Sequence, residues 1–85
     1  MSSTMETVRQ RLDAIRSARW GYPSFTGAFR GFDAAGLRVD ARERGDWSVL
    51  TSEGRLVAYG TAASLRTAMR QARAAAVTAV EGGRA

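Results

Sequence analysis

Eighty-five residues allow one hydrophobic core, so the chain is expected to be one domain, 1–85. Thirteen basic residues, every one an arginine, oppose eight acidic ones and leave a net charge of +5. With no Cys, His or Lys, disulfides, thiolate or imidazole metal sites, cysteine nucleophiles and His- or Lys-based hydrolytic triads are excluded, and a general base near neutrality would need a strongly shifted carboxylate.

The remaining composition narrows the class. A hydrophobic content of 45% with two Trp residues argues for a folded chain. No run approaches the roughly 18 apolar residues of a membrane span, and the N-terminus lacks a signal-peptide pattern. A cytoplasmic protein with no membrane partner is expected. Arginine presents a planar fork to phosphate or carboxylate, so the charge points to nucleic acid, RNA or DNA, or to an acidic protein surface.

In chain order, Ser3-Thr4-Met5-Glu6 fits a capping box. Met5, Val8, Leu12 and Ile15 then recur at helical spacing, and Gly21 and Pro23 end the pattern. A helix is predicted over 4–19. The segment 20–36 holds the only Pro, several Gly and the aromatics Trp20, Tyr22, Phe25, Phe29 and Phe32. It reads as an aromatic loop that folds over the sheet edge or its second face, because leaving that much apolar surface wet is unfavourable.

From Leu37 the period becomes two. Leu37, Val39 and Ala41 alternate with Arg38, Asp40 and Arg42; Trp47–Leu50 and Leu56–Tyr59 follow across turns at Gly45-Asp46 and Glu53-Gly54. This predicts a three-stranded antiparallel meander over 37–60. Its helix-facing side would carry Leu37, Val39, Ala41, Trp47, Val49, Leu56 and Ala58. The second side would carry an apolar island of Leu50, Val57 and Tyr59 among arginines. A helix is predicted over 61–80, with Leu65, Ala68, Met69, Ala72, Ala76, Ala79 and Val80 on its core stripe and Arg66, Arg70 and Arg73, joined by Val77, on a second stripe. Residues 81–85 form a tail closed off by Gly82-Gly83.

The expected fold class is therefore α+β, in the order α-β-β-β-α, with a three-stranded antiparallel sheet packed by two helices. Gly60-Thr-Ala-Ala-Ser64-Leu-Arg66-Thr-Ala68, with Ala72 beyond it, resembles the Gly-x-Gly-x-Ser-Lys-Lys-x-Ala entry to the second helix of the double-stranded RNA-binding domain. Ser64, Arg66 and Ala68 match in type, while Ala62, Leu65 and Met69 stand at the family's second Gly and two of its Lys positions. The resemblance implies the α-β-β-β-α order and contacts to an RNA backbone.

No catalytic residue, metal ligand or cofactor is expected. The scattered carboxylates Asp33, Asp40, Glu43, Asp46 and Glu53 read as ion-pair partners of nearby arginines. The leading expectation is a small, basic, non-enzymatic nucleic-acid-binding accessory protein. In it Arg66, Arg70 and Arg73 hold phosphates, Arg38, Arg42 and Arg55 extend the basic surface, and exchanging the helix trio leaves thermal stability nearly unchanged. The alternative is a protein-interaction module: a homodimer, or a small inhibitor or adaptor of the kind phages and plasmids encode. It would bind through Leu50, Val57 and Tyr59 with the loop aromatics Tyr22, Phe25 and Phe29.

Overall fold

The structure, a computed structural model, describes residues 3–21 and 29–82, with side chains for 8–21 and 30–82. Two α-helices, α1 (Ser3–Ser17) and α2 (Leu65–Glu81), bracket four strands, β1 (Phe29–Ala34), β2 (Leu37–Arg42), β3 (Asp46–Thr51) and β4 (Leu56–Thr61). The strands form one antiparallel meander in sequence order. The α+β architecture is as expected, but the sheet has four strands, not three.

The added strand comes from the end of the segment read as a loop. Phe29–Ala34 pairs along its whole length with Leu37–Arg42 across a two-residue turn. Ala35 and Gly36 both take positive φ, 56° and 76°, the backbone of a hairpin turn that suits right-twisted strands. Gly21 exchanges two backbone hydrogen bonds with Gly31, of 2.8 and 3.1 Å, so the chain leaving α1 runs along the outer edge of β1. Tyr22 and Phe25 lie outside the described residues, as do the Phe29 side chain and the Ser3 and Glu6 side chains of the capping box.

Both helices cover one face of the sheet. α2 packs across β2, β3 and β4, while α1 packs against α2 and β1. Ile15, Phe32, Leu37, Val39, Val49, Ala72, Ala76 and Val80 make the core between them. α2 meets the sheet through a stripe of alanines, Ala68, Ala72, Ala76 and Ala79, whose small side chains let the helix lie close.

Two sets of contacts hold the first turns of α2 and the chain before it against the sheet. The indole Nε1 of Trp47 donates to Gln71 Oε1 at 3.0 Å, and its ring lies over Gly60, where a Cβ would sit 2.6 Å from the ring. Gly45, at φ 104°, accepts a 2.8 Å hydrogen bond from the Ala62 amide. A Cβ at Gly45 would collide with the Ala62 carbonyl oxygen, so the β2–β3 turn admits only glycine there.

One face assignment is corrected. A register shift between Val49 and Leu50 bulges the β3–β4 pairing and sets Leu56 opposite Leu50. Leu56 is consequently exposed, while Val57 packs against the core. Among the described residues, no helix is long and apolar enough to cross a membrane.

Candidate nucleic-acid interface

α2 carries the site, and its start is fixed locally. Ser64 is the N-cap, its hydroxyl accepting from the Thr67 amide at 3.2 Å. With the alanine stripe turned to the sheet, helical periodicity turns Arg66 and Arg70 outward, one turn apart and both exposed. Among the described residues, neither guanidinium makes a hydrogen bond or an ion pair.

Arg73 differs from its two neighbours. Its Nη1 donates to the carbonyl oxygens of Ile15 and Arg16, at 3.0 and 2.7 Å. Those carbonyls belong to the last turn of α1, whose acceptors have no intrahelical donors. The guanidinium also lies 5.5 Å from the Trp20 ring centre and 5.1 Å from that of Phe32. Arg73 is thus a structural tie between α1 and α2. The expectation that the arginine trio can be exchanged without thermal cost is revised accordingly.

An open groove of about 630 Å³ runs between the outer side of α2 and the end of α1. Trp20, Met69, Ala74 and Val77 give it apolar lining, and Arg16, Arg66, Arg70 and Arg73 oppose a single Glu81 in its charged lining. Arg16 and Glu81 pair loosely at 3.7 Å across one end. Trp20 is held in place by an edge-to-face contact with Phe32, with ring centres 4.7 Å apart. Arg16, Trp20 and Met69 did not emerge as site residues from sequence. Met69 was assigned to the core by spacing alone, and the place of Trp20 depends on the Gly21–Gly31 bridge, which has no local signal.

Compared with protein-family models, curated proteins and solved structures, the chain matches none of them.

Arg38, Arg42 and Arg55, named with the helix arginines from sequence, do not join this site. Arg38 and Arg42 project from the face of β2 that points away from the helices, because Leu37, Val39 and Ala41 face the core. Arg38 bridges Asp33 at 3.1 Å and Asp40 at 3.0 Å, and Arg42 pairs with Asp46 at 3.4 Å. Arg44 holds the other oxygen of Asp46 at 3.3 Å. Partial desolvation pushes the Asp46 carboxyl up, but the hydrogen bond from its own amide and the cations Arg44 and Arg42 outweigh this. The group therefore lies below the usual carboxylate range.

Arg55 is exposed in the β3–β4 turn, at the end of the sheet where Ser52 bonds Gly36. Arg66 lies at the opposite end, beside the Gly45–Ala62 bond, about 20 Å away along a six-residue strand. The helix arginines and the sheet arginines thus occupy opposite sides of the molecule. On the sheet side, Leu50, Leu56 and Tyr59 form the apolar island, with Val57 half-buried against the core. Among the described residues, no three carboxylates gather as a metal-binding group.

Proposed function

We propose that this chain is a small, non-enzymatic, cytoplasmic nucleic-acid-binding accessory protein that grips phosphates with Arg66 and Arg70. The observation that carries this reading is the state of those two side chains. They are exposed, one helical turn apart and without partners among the described residues, beside a groove where four arginines face one glutamate. Two unpaired cations at that spacing suit successive charges on a phosphate backbone. Arg38 and Arg42, already balanced by Asp33, Asp40 and Asp46, contribute less, and the exposed Arg55 lies at the far end of the sheet.

The test is a gel shift with RNA and DNA over a range of salt. Binding should be visible at low salt and weaken steeply as salt rises. Exchanging Arg66 and Arg70 together for Gln should lower the slope of log K against log salt by about 1–2 while the fold persists. No shift at low salt with any nucleic acid ends the reading.

A second reading rests on the opposite side of the molecule. Leu56 and Tyr59 are 53% and 68% exposed beside Leu50, an apolar surface that suits a protein partner or a second copy of the chain. Association through this face should survive moderate salt and be lost on Tyr59→Ala, as read by a sizing column at two salt concentrations. A monomer at all concentrations, with Tyr59→Ala unchanged, removes the homodimer from this reading.

A further inference from the structure

We infer that the groove between α2 and the end of α1 takes single-stranded nucleic acid, with an unpaired base against its apolar lining and the adjoining phosphates at Arg66 and Arg70. The inference rests on the nucleic-acid reading above and goes further by naming the form of the strand.

The argument starts from what each ligand can offer. A duplex presents its backbone outward and keeps the faces of its bases stacked, so it engages arginines and leaves an apolar groove unused. An unpaired strand presents charge and exposed ring faces together, and proteins that bind it combine a basic track with apolar or aromatic platforms. This groove has both halves. Its volume of about 630 Å³ lies within the range of small-molecule sites. The exposed part of Trp20, with Met69 and Val77, supplies the apolar half.

The charged half lies along one side, on α2. Arg66 and Arg70, one turn apart, lie on the same side of Met69 around the helix, so both cations border one edge of the apolar patch. Arg73 is committed to the α1 carbonyls and Arg16 pairs loosely with Glu81, which leaves Arg66 and Arg70 as the two groove arginines without a partner among the described residues. The charge complementarity favours a polyanion over an acidic side chain or two, because both free cations sit on one line beside the patch. Trp20 also lies under Arg73 and against Phe32, so the ring is ordered before any ligand arrives and little freedom is lost on stacking.

The experiment compares the full chain with a 20-mer of deoxythymidine, a 20-mer of uridine, a blunt 20-base-pair duplex and polyglutamate, by fluorescence anisotropy at one low salt concentration. The inference expects both single strands to bind at least tenfold tighter than the duplex. It also expects polyglutamate to compete poorly. Because Trp20 is part of the packed structure, the variant is Met69→Gln, which keeps side-chain length and helix propensity. It should weaken single-strand binding about fivefold and leave duplex binding unchanged, since only the apolar contact is lost.

Equal or tighter binding of the duplex overturns this inference and leaves the nucleic-acid reading standing. So does a Met69→Gln variant that weakens both forms equally or neither. Polyglutamate competing as well as the oligonucleotides also overturns it, by making charge the only determinant. Failure of every nucleic acid to bind overturns both.

Discussion

Arg73 shows how one side chain can be read two ways from its position on a helix. By periodicity it belongs with Arg66 and Arg70, yet it spends its donors on the Ile15 and Arg16 carbonyls and lies over two aromatic rings. Replacing it with Gln removes hydrogen bonds from a charged donor and the stacking, a loss of about 1–3 kcal/mol for a partly buried group. In a domain of this size the thermal midpoint should fall by about 5–20 °C, measured by circular dichroism. Arg73→Lys should recover only part of this, because one ammonium cannot reproduce the flat stacked fork. Arg66→Gln, as a control, should stay within about 0.5 kcal/mol of the parent chain. A control that falls as far as Arg73→Gln would contradict the division of labour along α2.

At the scale of elements, what was legible in the sequence followed from clean periodicity. The helices and β2 announced themselves by apolar spacing, and Ser64 marked the start of α2 by its capping chemistry. β1 stayed hidden because its run, Phe-Arg-Gly-Phe-Asp-Ala, has a glycine at its centre, and its hairpin turn is Ala-Gly where Asn-Gly would be the recognisable signal. Gly31 is informative only once Gly21 is seen bonded to it. The β3–β4 bulge had a larger effect than its size suggests. By adding one residue it exchanged the roles of Leu56 and Val57, turning the first outward and packing the second, half-buried, against the core. Alternation alone carries no mark of such a shift. The candidate site was legible in its cations and illegible in its apolar half, which is assembled from Trp20 and Met69, 49 positions apart in the chain.

For the whole molecule, the sheet divides the charge into two populations with different physics. Arg38 and Arg42 on the uncovered face are matched by aspartates, so they add surface polarity without a strong outward field. Those on α2 face solvent with little opposing charge, so the field on that side extends further and is screened by salt over about 10 Å at 0.1 M.

The way α1 is attached has a further consequence. It rests on α2 and β1 and is fastened by Arg73 and by Arg11, whose Nη2 donates to the Ala35 carbonyl at 3.0 Å, whereas β2 and β3 are flanked by strands on both sides. Resistance to opening should accordingly be graded. In hydrogen-exchange measurements, amides of 8–17 should exchange through a partial detachment well before those of β2 and β3, which should require global unfolding. Uniform protection across both would mean that the first helix is as integral as the central ribbon. A graded result would mean that the chain possesses a hinged outer wall, and that whatever fills the cleft behind that wall also latches it shut.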